Sequence, residues 1–350
     1  MKVEQEKNKK WAEIYNLLKE EIEKRNYERG DRFLTVSEVS KRFNVSQITS
    51  RRALSALAMD NLIIQKAGLG SIIKNRERIK IHFFIPEEEH WDIKRFENIP
   101  LINFEILKGA MQQATEEGVE IEFIDRRLLL DVLRKEPVLA MHGTFRLNFK
   151  EEELQKRNYN LIILHSPGPL KYFHTVRHNL HKAAYYATKH LISRGHKRIG
   201  LIVGFLSSEG WLPRFEGYLQ ALKEGNLPLN LKMVKETSGY DRNEDIIAFE
   251  ELLALKDLPT AICTGNDERA LNILDYCCKK GIRVPEDMAI CGIDNIYKTE
   301  FSRPPLTTVD TGWEEIGKAA INFVLELMEK PGTEIQDIVV EPELIIRKST

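Results

Sequence analysis

Residues 44–54 read NVSQITSRRAL, and their pattern predicts a tight turn followed by a helix in the amino-terminal part of the chain. Asn44 and Val45 suit a tight turn, and the hydroxyl of Ser46 suits a helix N-cap. Apolar side chains then recur at helical spacing, which predicts a helix over 46–60. The side chains expected to face its core are Ile48, Ala53, Leu54, Leu57 and Ala58. Polar and basic side chains are left on the exposed first turns.

Two further helices are predicted before this turn. Residues 9–25 place apolar side chains on one helical face, namely Trp11, Ile14, Leu17, Leu18 and Ile22. A shorter helix, capped by Ser37, carries Val39 and Phe43 inward and ends at the turn. Two helices separated by about three residues are typical of a helix-turn-helix.

A hairpin is predicted after the third helix. Residues 62–64 and 71–73 alternate like two short strands. The loop between them contains Gly68 and Gly70, and glycine permits a positive φ and a close approach of the backbone. We interpret this hairpin as the wing of a winged helix-turn-helix domain over residues 1–75.

The formal charge is divided unevenly along the chain. Residues 1–80 hold 18 lysines and arginines against 11 acidic residues, a net charge of +7. Residues 81–350 hold 34 against 42, a net charge of −8. A charge run alone is more often a solvated face, but a basic segment on an acidic body is also expected where one end approaches nucleic acid.

The first turns of the third helix carry side chains that bind DNA. Glutamine pairs with adenine, serine and threonine bond several base edges, and arginine bonds guanine or phosphate. We therefore expect this end of the helix to enter the major groove of double-stranded DNA. The predicted DNA-binding residues are Thr35, Ser37, Ser46, Gln47, Thr49, Ser50, Arg51, Arg52, Lys66, Gly68 and Gly70. The alternative is a winged helix used only for protein contacts.

Residues 9–74 resemble the GntR family of winged-helix regulators. The resemblance lies in GDRF (30–33), NVSQITSRRAL (44–54) and GLGS (68–71). The chain departs from the family where a Pro-Ser-Glu-Arg run is usual, since residues 34–37 read LTVS, and where Gln47 replaces a usual arginine. The resemblance implies DNA binding, and the two departures imply an operator sequence other than the family's usual one.

The remainder of the chain alternates buried strands with helices. After a charged linker at 76–79, strands are predicted at 81–85, 119–124, 160–164, 199–203, 233–236, 261–263 and 289–292. Helices are predicted at 103–117, 180–193, 212–223, 243–254 and 268–280. This alternation predicts an α/β, doubly wound parallel-sheet domain over 80–350. The number of strands predicts two subdomains, 80–177 plus 307–328 and 178–306 plus 329–350.

Three polar residues follow neighbouring predicted strands. Arg214 opens the helix after strand 199–203, Asn266 follows strand 261–263, and Asp294 follows strand 289–292. Ligands of open α/β sheets bind outside the carboxyl ends of the strands. Donors and acceptors of this kind suit the hydroxyls of a polyol, and the arginine also suits a carboxylate or phosphate. The alternative is that Asn266 and Asp294 only cap helices.

Residues from about 79 to 350 resemble the LacI/GalR type of sensor, which has a type I periplasmic-binding-protein-like fold. The motifs are KHLISRGHKRIG (189–200), NDERAL (266–271), CGIDN (291–295) and PPLTTV (304–309). The resemblance implies that Tyr240 stacks on the effector and that His165 replaces a ligand-contacting aspartate. Trp91, just after the first predicted strand, is a further stacking candidate.

Together the two resemblances imply an arabinose-repressor-like architecture. We expect a homodimeric transcription regulator, a repressor of carbohydrate-utilisation genes, whose affinity for a pseudo-palindromic operator is controlled by a sugar or polyol. The alternatives are a sugar-binding receptor outside the cytoplasm and a sugar-processing enzyme with a doubly wound fold.

Several classes of protein are disfavoured by the sequence. The charged opening MKVEQEKNKK and the lack of an apolar run of about 20 residues predict a cytoplasmic protein without a membrane partner. No phosphate-binding glycine loop or nucleophile elbow is found, so we expect no enzyme, no catalytic residue and no cofactor. The four cysteines lack the paired spacing of a zinc site. His174, His178 and His181 are interpreted as surface residues of a loop and helix start rather than as a metal site.

Overall fold

The computed structural model describes residues 2–24, 27, 30–60, 62–66, 70–74, 80–84, 101–124, 126–133, 135–141, 161–238, 241–330 and 332–350. The chain divides into two compact units, Met1–Lys80 with Glu116–Glu120 and Ile81–Thr115 with Ile121–Thr350. Each unit has its own hydrophobic core. No helix within the described ranges combines the length and the apolar character that a bilayer crossing requires.

The described part of the first unit holds three helices and a small antiparallel sheet. Its elements are α1 (Lys2–Lys24), β1 (Arg32–Phe33), α2 (Val36–Phe43), α3 (Gln47–Met59), β2 (Ile63–Lys66) and β3 (Gly70–Ile73). The strand order is β1-β3-β2. The predicted winged helix-turn-helix, with a hairpin after the third helix, is confirmed.

The turn between α2 and α3 is set by its caps. Thr35, not the predicted Ser37, caps α2: its hydroxyl accepts the N–H of Glu38, and the Glu38 carboxylate accepts the N–H of Thr35 at 2.7 Å. This reciprocal pair satisfies two backbone donors at once and fixes the start of the helix. Asn44 ends α2 with a φ of 48°, and the predicted N-cap Ser46 accepts the N–H of Thr49.

The core of the first unit is built largely from α1 and α3. Leu18 and Ile22 of α1 pack with Leu54 and Leu57 of α3, and all four are fully buried. The prediction that Ile48 faces this core is wrong, because its side chain is 75% exposed. The buried face of α3 contains positions 50, 53, 54 and 57, and a residue two positions before 50 lies about 200° around the helix.

The described strands of the second unit form two sheets of six. The first sheet runs in the order β14 (Asp337–Val340), β8 (His174–His178), β7 (Leu161–Leu164), β6 (Val138–Met141), β4 (Lys80–Phe84) and β5 (Glu120–Ile124). The second runs in the order β10 (Val234–Thr237), β9 (Ile199–Gly204), β11 (Ala261–Thr264), β12 (Ala289–Ile293), β13 (Thr307–Asp310) and β15 (Glu343–Ile345). In the second sheet β15 alone is antiparallel to its neighbour.

Helices cover both faces of the second sheet. The helices of the second unit are α4 (Leu101–Glu117), α5 (Arg126–Leu133), α6 (Leu180–Ser193), α7 (Leu212–Glu224), α8 (Arg242–Leu253), α9 (Asp267–Lys280), α10 (Lys298–Phe301) and α11 (Trp313–Glu329). Leu201 and Val203 of β9 belong to the core on the side of α6 and α7, whereas Ile202 belongs to the core on the side of α8 and α9. Successive strand residues point to opposite faces, so the predicted doubly wound α/β fold is confirmed.

The described chain passes between the two sheets three times. The crossings follow β8, β13 and β14. The predicted subdomains assigned 307–328 to the first group and 329–350 to the second. The structure differs in two strands: Thr307–Asp310 pairs with β12 in the second sheet, and Asp337–Val340 pairs with β8 in the first. Sequence spacing does not reveal these exchanges, because it predicts where a strand lies along the chain and not which sheet the strand joins.

The interpretation of His174 and His178 as surface residues is wrong. Both lie in the interior strand β8, where they are 4% and 1% exposed. Only His181 lies at a helix start, in α6. The sequence HTVRH conceals a buried strand because three of its five residues are basic or titratable. Among the described residues, no three potential metal ligands converge.

Candidate nucleic-acid and effector sites

The start of α3 presents an exposed surface in the first unit. Gln47, Arg51 and Arg52 are all exposed, and Ile48 lies between them. Lys66 at the end of β2 is exposed as well. The predicted recognition surface therefore contains polar, cationic and apolar groups, which are the groups that contact base edges and phosphates.

Other predicted DNA-binding residues have structural roles. Ser50 is fully buried and its hydroxyl donates to the backbone oxygen of Ser46, so the prediction that Ser50 reads DNA is contradicted. Thr35 and Ser46 are the helix caps described above, and Thr49 is half-buried. Ser37 is exposed in the first turn of α2.

Gly70 has a steric role at the start of β3. Its φ is 87°, and a Cβ there would lie 2.7 Å from Cγ2 of Thr35. Glycine is therefore required both for the backbone conformation and for the approach of the wing to the α2 cap. Gly68 lies outside the described residues.

The predicted effector residues meet at the carboxyl edge of the second sheet. A guanidinium nitrogen of Arg214 lies 4.0 Å from Oδ1 of Asp294, and the two residues are 5% and 4% exposed. Arg214 comes from α7 after β9, and Asp294 directly follows β12. The connections after these strands bring the pair together, as the strand-end rule predicts.

Asp294 has a backbone conformation that its neighbours hold. Its φ is 118° and that of Asn295 is 55°, both unusual for residues other than glycine. The Asn295 side-chain oxygen accepts a hydrogen bond from Arg347 at 2.8 Å, and its amide donates to Asp310 at 2.7 Å. The N–H of Ile296 donates to a carboxylate oxygen of Asp267 at 3.0 Å. Strain of this kind persists where several contacts determine one geometry.

Asp267 has a buried carboxyl group that holds the loop after β12 in place. Besides Ile296, it accepts the hydroxyl of Thr308 at 2.6 Å. Gly292 provides the space, because a Cβ there would lie 2.0 Å from Oδ1 of Asp267. Burial raises the pKa of Asp267 well above its usual value, and the charge of Asp294 acts in the same direction. Asp267 therefore positions the loop rather than contacting the solvent.

Trp211 lies between two arginines. The guanidinium carbons of Arg214 and Arg269 are 4.6 and 4.5 Å from its ring centroids. Arg269 is 1% exposed, donates to the hydroxyl of Thr237 at 3.0 Å and lies 3.6 Å from Asp245. These contacts satisfy Arg269 and hold the indole, which in turn packs against the guanidinium of Arg214.

The Arg214–Asp294 pair retains open hydrogen-bonding capacity. Arg214 donates to the backbone oxygen of Gly210 at 2.5 Å, but its Nε has no partner among the residues that the structure describes. The same holds for Oδ1 of Asp294 and for Nε1 of Trp313. Buried polar atoms are nearly always hydrogen-bonded, so such atoms indicate a place for a polar ligand or water.

A cavity of about 640 Å³ is lined by Asp294 and Trp313, together with residues of α4, α10 and the start of α11. Trp313 is 6% exposed. A cavity of this size suits a small molecule. The lining combines α11, which packs against β8 of the first sheet, with the segments that follow β12 and β15 of the second sheet, so the candidate site lies between the two halves of the second unit.

Burial controls the charge of the pair. It raises the pKa of Asp294 to about 7, and the charges of Arg214 and Arg269 oppose this rise. It also lowers the pKa of Arg214, although Asp294 opposes that effect. Near neutral pH the carboxyl group therefore exists in both forms, whereas the arginine remains charged.

For Asn266 the alternative given above applies, because this residue caps a helix. Its side-chain oxygen accepts the N–H of Arg269 at 3.1 Å and caps α9. Asp294 caps no helix in the described part of the chain. His165 follows β7 with a φ of 58°, and its ring centroid lies 4.7 Å from that of Trp313. The predicted stacking residues Trp91 and Tyr240 lie outside the described residues.

Sequence reasoning missed Trp211, Arg269 and Trp313. Trp211 precedes Arg214 by three positions, a spacing that places two helical side chains on one face. Trp313 follows β13, so the strand-end rule would have found it had that strand been recognised. Nothing in the sequence pattern distinguishes the buried Arg269 from a surface arginine.

Comparisons with known proteins agree with both halves of the fold. Residues 10–73 match the family described as "Bacterial regulatory proteins, gntR family". Residues 188–350 match the family described as "Periplasmic binding protein-like domain". The two resemblances inferred from the sequence motifs are thus confirmed.

Curated relatives include the HTH-type transcriptional repressor PurR of Actinobacillus pleuropneumoniae serotype 3 (strain JL03). It is 39% identical over 173 residues, which cover 49% of this chain and 51% of the relative. PurR of Haemophilus influenzae (strain PittEE) is 40% identical over 168 residues, which cover 47% of this chain and 50% of the relative. The matching segment thus spans about half the length of these relatives.

A solved structure with the same fold is the transcriptional regulator CelR–cellobiose complex. It has a TM-score of 0.63 and 21% identity, over 89% of this chain and 95% of that one. A LacI-family regulator from Enterococcus faecium with bound ribose has a TM-score of 0.62 and 22% identity, over 77% and 98% of the two chains. Residues 10–73 are therefore similar to the bacterial gntR regulatory proteins, and the second unit is similar to periplasmic binding protein-like domains and has the fold of these regulators.

Proposed function

We propose that the protein is a transcriptional repressor that binds operator DNA through α3 and a sugar or polyol through Arg214 and Asp294. The observation that carries the proposal is the presence in one chain of a gntR-type winged helix and a buried arginine–carboxyl pair with open hydrogen-bonding atoms. The relatives named as repressors support the same function.

On the DNA, Gln47, Ile48 and Arg51 contact base edges of the major groove, and Arg52 and Lys66 contact phosphates. Glutamine suits adenine, arginine suits guanine, and the apolar Ile48 suits the methyl group of thymine. The exposure of all five side chains supports this assignment. Two chains related by a two-fold axis bind half-sites about one helical turn, roughly 34 Å, apart.

In the effector site, Arg214 donates to a ligand oxygen through Nε and Asp294 accepts from a ligand hydroxyl through Oδ1. A pair of neighbouring hydroxyl groups offers one acceptor and one donor to such a pair. Fold neighbours that hold cellobiose and ribose support a sugar as the ligand class. A nucleobase has a similar arrangement of polar edges and a flat face suited to tryptophan, so it is the competing ligand class.

The ligand releases the operator. Binding to both subdomains closes the second unit around the ligand, and a two-fold dimer transmits the change to its two reading helices. Each ligand alters the affinity for the other by the same factor.

A thermal-shift panel tests the effector class. Ribose, arabinose, glucose, galactose and cellobiose are compared with adenine, guanine and adenosine on the purified full chain. A ligand that binds the folded state raises the melting temperature with its concentration. Stabilisation by a sugar and not by a nucleobase supports the proposal. Stabilisation by a nucleobase and not by a sugar would identify the effector class as a nucleobase instead. Arg214→Ala removes the response, whereas the exposed Arg283→Ala retains it.

A further inference from the structure

His178 occupies a position where two crossings between the sheets meet. It ends β8 at the first crossing, and its Nδ1 lies 2.8 Å from the backbone oxygen of Thr311 in the second. A carbonyl oxygen only accepts hydrogen bonds, so Nδ1 carries the proton and Nε2 is an acceptor. This one hydrogen bond joins the first crossing to the second.

The third crossing, which follows β14, contacts the chain next to His178 and next to Thr311. The N–H of Asn179 donates to the backbone oxygen of Val340 at 3.2 Å. Gly312 allows the close approach of the second crossing to the third, because a Cβ there would lie 2.5 Å from Cγ1 of Val340. His178 therefore lies where all three crossings between the sheets meet, and we call this region the hinge.

The side chain of His178 is buried beside two aromatic rings. The residue is 1% exposed, and its ring centroid lies 4.0 Å from Trp313 and 5.0 Å from His165. Burial lowers the pKa of His178 well below its usual value, and His165 and the charge of Arg214 act in the same direction. The imidazole is thus neutral at physiological pH, in agreement with an acceptor at Nε2.

Nε2 of His178 has no hydrogen-bond partner within the described ranges. Two neighbours share this property: the hydroxyl of Thr311 and Nε1 of Trp313. Trp313 lines the same cavity as Asp294, and Arg214 is close enough for its charge to act on His178. The acceptor of His178 and the donor groups of Thr311 and Trp313 therefore lie close together, and Trp313 joins them to the cavity that Asp294 also lines.

We propose that His178 is a ligand-contacting residue of the hinge, whose Nε2 accepts a hydrogen bond from one hydroxyl of the bound sugar while its Nδ1 holds Thr311. The inference rests on the proposed function and adds a specific requirement to it: one hydroxyl of the ligand must donate toward the hinge. Binding and the geometry of two crossings are then linked through a single imidazole. The competing explanation is an ordered water at Nε2.

Two substitutions test the roles of the two ring nitrogens of His178 separately. In His178→Asn the amide nitrogen retains the place of Nδ1 and the bond to Thr311, but the side chain is too short to reach the place of Nε2. In His178→Gln the terminal amide reaches the place of Nε2 and the bond to Thr311 is lost. His174→Asn is the matched control, because His174 lies in the same strand, is also buried, and accepts the N–H of Gln336 at its Nδ1.

The experiment is isothermal titration of the full chain with the tightest-binding sugar of the panel and with its single-deoxy analogues. We expect His178→Asn to weaken binding roughly tenfold or more, as an unmade buried hydrogen bond does. We expect His178→Gln and His174→Asn to remain within about threefold of the wild type. One deoxy analogue should lose about tenfold on the wild type and nothing further on His178→Asn.

The inference is overturned if His178→Asn binds the sugar with wild-type affinity, or if every deoxy analogue loses the same affinity on both proteins. Either result favours an ordered water at Nε2. If no sugar binds the wild type, both the sugar class and this inference fail.

A measurement without substitution covers the case in which the asparagine variant does not fold. In histidine-¹⁵N-labelled wild type, the Nε2 resonance of His178, assigned by comparison with His178→Gln, should move upfield on addition of the sugar. A resonance that stays in place overturns the inference.

Discussion

Asp294→Asn should stabilise the protein while removing its response to sugar. Burial raises the pKa of Asp294 from 3.8 to about 7, so the folded state prefers the protonated form. Stability from this group is fully present below the ordinary pKa near 4 and is lost as the pH rises through about 7. Each pKa unit corresponds to about 1.4 kcal/mol, so the ionised carboxylate costs on the order of 4 kcal/mol at pH 8. An asparagine side chain, which does not ionise, avoids this cost.

The assay is calorimetric melting of wild type and Asp294→Asn at pH 4 and pH 8. We expect the variant to melt at a higher temperature than the wild type at pH 8 and at nearly the same temperature near pH 4. Asp267 remains buried in both proteins, but the charge of Asp294 no longer raises its pKa in the variant, so the change at Asp267 also favours the variant at pH 8. A melting difference that does not change with pH would show that folding does not raise the pKa of Asp294.

Asp287→Asn provides a control of opposite sign. Asp287 is exposed, and hydrogen bonds from the side chain and backbone of Arg283 lower its pKa to about 2. Its contribution to stability is present above the ordinary pKa and is lost as the pH falls through about 2. The substitution should therefore slightly lower the melting temperature at pH 8.

Three further outcomes are expected. Arg51→Ala should weaken DNA binding and reduce the salt slope by about 1, measured by fluorescence anisotropy across a salt series, with Arg283→Ala unchanged. Gly70→Ala should lower the thermal stability of the winged helix and weaken DNA binding, because its φ is 87° and a Cβ would meet Thr35; circular dichroism and anisotropy check the two effects. Sugar affinity should rise with pH through about 7, because ligand hydroxyls favour the ionised form of Asp294, and titration in buffers of different ionisation enthalpy should detect the proton released.

Sequence periodicity was sufficient for the elements with clear patterns. The apolar spacing of α1 and α3 and the alternation of hydrophobic strands with helices in the second unit predicted the fold of both units. Ile48 shows the limit of such reasoning, because an apolar residue in the first turn of an amphipathic helix fits the pattern while its angular position places it in solvent. Ser50 fails for the opposite reason, since its hydroxyl bonds to the backbone and so tolerates burial.

The candidate site was only partly predictable. The strand-end rule placed Arg214 and Asp294 together, because parallel strands end at a common edge. It did not find His178, since a strand that reads HTVRH has no hydrophobic signal, and its burial is evident only from the sheet order. Contacts between distant crossings, such as that of His178 with Thr311, have no local signature in the sequence.

The most direct test of the regulator proposal is the mutual dependence of DNA and sugar binding. A duplex selected from a random library is titrated with the full chain, with and without the tightest-binding sugar, and the sugar is titrated with and without that duplex. We expect the sugar to weaken DNA binding, typically by about 5- to 150-fold, and the duplex to weaken sugar binding by the same factor. Failure to bind any duplex at low ionic strength, or a factor of one in both titrations, would contradict the proposed function.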